Sequence, residues 1–186
     1  MVGVSAGGVD LLMDLLPALP ADFPVPIAVV LHSGPGTTTE LAFMLDRAGE
    51  ITVREAEDKA PLERGRVYLA PGGYHLLVER DLTCSLSVDP PVRFARPAVD
   101  VLFDSAAAAF RDRVLAVVLS GASDDGANGA RSIKEAGGMV IVQDPATAAA
   151  TDMPRAAIER AAPDDIFTPA ELPALLLRLC APEPRP

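Results

Sequence analysis

Two kinds of apolar pattern alternate along the chain. Short continuous runs have the length and β-branched content of strands buried on both faces: "MVGV" (1–4), "IAVVL" (27–31), "VLAVVLS" (114–120) and "MVIVQ" (139–143). Between them apolar residues recur at helical spacing, as Val9, Leu12, Met13 and Leu16 do over 7–16. Further helices are predicted from a cap at Thr38 or Thr39 through Ala48, and over 98–110, 126–137, 154–161 and 169–180. The middle reads differently, with "ITVREA", "RVYLAP", "HLLVER" and "LTCSLS" as β segments in succession. Within it "HLLVERDLTCSLS" predicts a hairpin turning at Arg80-Asp81. Strands separated by helices predict an α/β fold: a doubly wound, mainly parallel sheet with helices on both faces. An antiparallel β-hairpin is expected as an insertion near residues 66–87.

In such a sheet the functional loops lie beyond the carboxyl ends of the strands. Three of those loops carry suggestive side chains: Ser5 in "VSAGG", His32 after "IAVVL", and Asp125 in "SGASDDG". Taken singly, each has an ordinary structural use. A serine before "AGG" caps a helix, belongs to a phosphate-cradling turn, or stands as a nucleophile with helix N–H groups near an oxyanion. His32 reads as a hydrogen-bonded structural histidine, and Asp125 before Gly126 as a helix cap. Together they supply a nucleophile, a base and an orienting carboxylate at one edge of the sheet, which points to a Ser-His-Asp site. The chain order Ser…His…Asp differs from the Ser…Asp…His of α/β-hydrolases and points to another family.

Composition narrows the classes. A formal charge of −10 argues against nucleic acid as a partner. No apolar run approaches the ~18 residues of a membrane span, and no secretory signal opens the chain. Cys84 and Cys180 have no ligand spacing and read as free thiols in a reducing compartment, so a cytoplasmic protein is expected. The histidines are two, His32 and His75, so any imidazole chemistry must use one of them. No Cys/His/Asp cluster has metal-ligand spacing, and neither metal nor cofactor is expected.

"GVSAGG", "VVLHSGPG", "VYLAPGGYHLLV", "RPAVDVLFDSAA", "LSGASDDGANGA" and "GGMVIVQDPATAAATDMPRAAI" follow one another from residue 3 to about 158. In this succession the chain resembles the catalytic domain of the chemotaxis protein-glutamate methylesterases (CheB). The resemblance implies hydrolysis of glutamate γ-methyl esters on methyl-accepting chemotaxis receptors, often with deamidation of receptor glutamines. It carries the nucleophile onto Ser5, the base onto His32 and the carboxylate onto Asp125, leaving Asp124 as an exposed neighbour. His75 falls on a second family histidine with a structural or site-wall role. Ala6 stands where the family usually has Thr. Ala122 stands where it usually has Met, so a side chain bordering the ester is missing while backbone donors remain.

A catalytic domain is expected over 1–180, with a polar tail at 181–186 and no receiver domain in this chain. Two other classes stay open. A nucleotide-binding module using the first turn is disfavoured because "GVSAGG" is not G-x-G-x-x-G. A catalytically weak signalling adaptor is kept open by Ala122.

Overall fold

The computed structural model describes residues 1–32, 36 and 38–181. In chain order the elements are β1 (Val2–Val4), α1 (Gly8–Leu15), β2 (Ile27–Leu31), α2 (Thr38–Asp46), β3 (Thr52–Glu55), β4 (Arg66–Leu69), β5 (His75–Val78) and β6 (Cys84–Ser87). Then follow α3 (Val99–Phe110), β7 (Leu115–Val118), α4 (Ala127–Glu135), β8 (Met139–Gln143), α5 (Asp152–Ala161), β9 (Asp165–Phe167) and α6 (Leu172–Leu179). Among the described residues seven strands form one sheet in the order β3-β4-β2-β1-β7-β8-β9. Every pairing in it is parallel. β5 and β6 pair separately and antiparallel.

The strands read as continuous apolar runs because both faces of the sheet are covered. Alternate residues enter different cores. Val2, Val4, Ile27, Val29, Leu31, Val117 and Leu119 pack with Leu12, Leu15, Leu45 and Leu175 beneath α1, α2 and α6. Ala28, Val30, Ala116, Val118, Val140 and Val142 pack with Val99, Phe103, Ile133 and Met153 under α3, α4 and α5. The β5–β6 ribbon closes that second core with Leu76, Val78 and Cys84.

Gly3 interrupts β1 for a packing reason. A Cβ there would lie 2.3 Å from Val99 Cγ1, so α3 approaches the sheet only over a bare backbone. We expect Gly3→Ala to cost about 1–3 kcal/mol by overpacking, measured by chemical denaturation, because the stiff valine has little room to yield.

The structure redraws two expectations and adds a strand. The inserted hairpin covers residues 75–87 rather than 66–87, since β4 lies inside the parallel sheet between β3 and β2. β3 and β4 are parallel neighbours joined without a helix, which removes the usual cue for a parallel crossover. β9 carries no apolar run because Asp165 and Ile166 are exposed on the sheet edge. α2 starts at Thr38, so Thr38 and Thr39 lie inside its first turn. Beyond Ala181 the tail expected at 181–186 lies outside the described residues.

Candidate active site

The chain runs outward from β1 through β2 and then returns to β7 on the other side of β1. That reversal makes a topological switch point, where open parallel sheets leave a crevice at the strand ends. Ser5 follows β1 directly. His32 follows β2, and its backbone N–H donates to Val4 O at 3.1 Å. The registers Gly3↔Val30 and Val4↔Leu31 put Ser5 opposite His32 at the next step. Parallel strands lie about 4.8 Å apart, and the pleat turns both residues to the face that Val30 shares with α3 and α4.

Asp125 reaches this point from the far side. Its Oδ2 lies 2.7 Å from His32 Nε2. The carboxylate is 1% exposed and accepts two more bonds, from Val99 N (2.7 Å) and Asp100 N (3.0 Å). These amides open α3, so the helix N-terminus supports a negative charge there. An ionised carboxylate only accepts, so Nε2 carries the ring proton and Nδ1 is left as the acceptor nitrogen. The cap expected at Asp125 is real but serves a different helix. Asp125 caps α3, whereas α4 is held by Asp100, whose Oδ1 accepts from Gly129 N at 2.8 Å.

The Ser5 side chain does not cap α1. The cap position is Gly7, with no side-chain bond, and the Ser5 hydroxyl has no hydrogen-bond partner among the described residues. Its backbone is fixed, with Ser5 N donating to Ser120 O at 2.9 Å. Gly7 has φ +78, and a Cβ on it would lie 2.7 Å from Ala149 Cβ, so the turn needs glycine twice over. The amides of Ala6, Gly7 and Ala122 have no acceptor among the described residues. Backbone donors of this kind, unpaired at a turn beside a serine, are suited to receive an anionic oxygen.

Sequence reasoning missed the groups that brace this turn. Ser120 is fully buried; its Oγ donates to Ala6 O (2.7 Å) and accepts from Ala150 N (2.9 Å). Gln143, also fully buried, accepts from Ser120 N at 2.9 Å and donates to Thr147 O at 3.2 Å. The available signal was a polar residue closing each of the apolar runs of β7 and β8. Asp124 is more than an exposed neighbour: it bridges Arg93 (2.5 Å) and Arg160 (2.6 Å). The hydrogen bond from Arg160, then the Arg93 charge, holds its carboxyl below the usual range. Arg93 also reaches Asp100 at 3.3 Å, where burial pushes the carboxyl upward.

His75 is buried and bonds to none of Ser5, His32 and Asp125. Its Nδ1 accepts from Ala98 N and its Nε2 contacts Pro90 O, both at 3.2 Å, which ties the hairpin to the start of α3. Two cavities, of about 410 Å³ between α1 and α6 and about 530 Å³ at the amino ends of β1, β2 and β7, are lined by neither Ser5, His32 nor Asp125. Among the described residues Ala6, Gly7 and Ala122 are exposed, so the Ser5 side of the site is an open shelf. Among the described residues no group of His, Cys, Asp and Glu is placed to hold a metal ion. No helix there is long and apolar enough to cross a membrane.

Comparison with known proteins gives concordant matches. The family model described as CheB methylesterase matches residues 1–176. A Leptospira interrogans protein, provisionally named a protein-glutamate methylesterase/protein-glutamine glutaminase, is 42% identical over 179 residues, 96% of this chain and 93% of that one. A protein of that name from Anaeromyxobacter dehalogenans is 44% identical over 179 residues, 96% of this chain but 52% of the longer relative. The crystal structure of the Thermotoga maritima CheB methylesterase catalytic domain superposes with a TM-score of 0.93 at 38% identity, covering 96% of both chains.

Proposed function

The chain belongs to the CheB methylesterase family, and on that premise we propose that Ser5, His32 and Asp125 are the catalytic residues of a protein-glutamate methylesterase/protein-glutamine glutaminase. Its substrates are glutamate γ-methyl esters on methyl-accepting chemotaxis receptors, in the cytoplasm. The observation that carries the assignment is the 2.7 Å contact between His32 and Asp125, with Ser5 in the adjacent register position. The open shelf suits a side chain presented on a protein surface. The family match over residues 1–176 supports treating 1–180 as the catalytic unit.

The chemistry follows from the types present. As Ser5 Oγ attacks the ester carbonyl carbon, its proton passes to the His32 ring, and the charge this creates faces Asp125. The carbonyl oxygen becomes an oxyanion beside the unbonded amides of Ala6, Gly7 and Ala122. Collapse breaks the bond to the methoxy group, which leaves as methanol with the proton from His32. Water then attacks the acyl-serine by the same route, releasing the glutamate carboxylate and restoring Ser5. With glutamine as substrate the leaving group is ammonia and the steps are unchanged.

A fluorophosphonate probe tests this assignment. We expect one label per chain, on Ser5, with the rate sharply reduced in a His32→Gln variant. Labelling elsewhere, or none at Ser5 under conditions that label an unrelated serine esterase, would favour the adaptor reading.

A further inference from the structure

Beside the site the chain makes a turn that its residues do not suit. Between Val92 and Ala95 the backbone closes a two-residue loop, with Val92 N donating to Ala95 O (3.0 Å) and Ala95 N donating to Val92 O (2.9 Å). Its central residues are Arg93 at φ +50 and Phe94 at φ +66. A turn with both central residues at positive φ is the province of Asn-Gly, Asp-Gly and Gly-Gly, because a Cβ is strained there. A bulky aromatic is among the poorest choices.

Strain of this sort persists only where the surroundings hold it. Here the holder is Arg93, whose guanidinium grips Asp100 at 3.3 Å and Asp124 at 2.5 Å. Asp124 is the neighbour of Asp125, and Asp100 N donates to the Asp125 carboxylate. The turn is thus tied directly to the frame of the active site. A second tie runs to the loop after β4, where Gly73 N donates to Arg96 O at 3.1 Å.

What this frame presents is the Phe94 ring, fully exposed at 104% of its reference area. A lone exposed apolar residue is normally unremarkable. This one sits on a strained turn, anchored by an arginine to the carboxylates around the site, with half-exposed Tyr74 on the tied loop. Neither ring is used by the triad.

We infer that Phe94 is a docking residue for the protein substrate, receiving an apolar side chain that flanks the modified glutamate. The inference rests on the methylesterase reading above and deepens it. The reacting group is small, a methyl ester on a short side chain, and the open shelf gives it little to hold. Discrimination between a protein ester and a free small ester must then come from contacts outside the reacting centre. A rigid aromatic loses little conformational freedom on binding, which suits it to that use.

The test is a comparison of specificity constants. Wild type, Phe94→Gly and Phe94→Leu are assayed on a methylated chemoreceptor fragment and on a small activated ester. Phe94→Gly should shift the ratio of kcat/KM values about tenfold against the receptor fragment, through KM. Phe94→Leu should keep most of the preference. Glycine is the residue the turn favours, so Phe94→Gly should fold with a thermal midpoint at or above that of wild type. A constant ratio overturns the docking role, whether both activities hold or both fall together. Failure of wild type to release methanol from the receptor fragment, with small-ester hydrolysis intact, would instead remove the receptor reading and the docking proposal with it.

Discussion

Ser5→Ala should reduce hydrolysis of a small activated ester by about 10⁶-fold, the scale seen when a triad nucleophile is removed. The same variant should keep its fold. The Ser5 hydroxyl caps nothing and bonds to nothing among the described residues. Its backbone bonds, Ser5 N to Ser120 O and Gly8 N to Ser5 O, survive the change. Stability should stay within about 0.5 kcal/mol of wild type, as for substitutions that remove no packing or cap. Circular dichroism and a thermal melt, run beside the esterase assay, separate the two effects. A variant that keeps substantial turnover means that the nucleophile is elsewhere.

The paired aspartates give the second large effect. Asp125→Asn should lower kcat by up to about 10⁴-fold, because an amide facing the imidazole favours the wrong tautomer and no longer stabilises the charged ring. It should also cost stability. The carboxylate accepts from both Val99 N and Asp100 N, and the amide group of asparagine must turn a donor toward a donor at one of its three contacts. A buried donor left without a partner costs about 1–3 kcal/mol. Asp124→Asn should behave quite differently. Asp124 is about one-third exposed, with two arginine partners, so its loss should cost at most about 1 kcal/mol and leave kcat within tenfold. A crippled Asp124 variant beside an active Asp125 variant would show that the carboxylate was assigned one residue too late.

Much of the candidate site was legible because its residues follow strand ends. Ser5 and His32 each close an apolar run, and a doubly wound sheet brings such ends together. What sequence could not convey was which helix each carboxylate serves. Asp125 precedes α4 in the chain yet caps α3, and Asp100 lies in α3 yet caps α4. Local spacing reports a cap but not an exchange between two helices whose N-termini converge. From sequence β4 reads as part of the hairpin for a related reason: no helix separates it from β3, so nothing local marks the pair as parallel. β9 is short and exposed and owes its pairing to β8 alone. The Arg93–Phe94 turn was invisible, since neither residue favours the conformation that Asp100 and Asp124 help to hold.

Cleavage of glutamate methyl esters on a protein through Ser5, His32 and Asp125 is the expected activity of this chain. The most direct measurement is release of labelled methanol from a chemoreceptor fragment carrying methyl-labelled glutamate esters. We expect steady release by wild type, loss to background in Ser5→Ala, and recovery of free glutamate at the modified positions. Release at the wild-type rate by Ser5→Ala, or none by a folded wild-type protein that hydrolyses small esters, would contradict it.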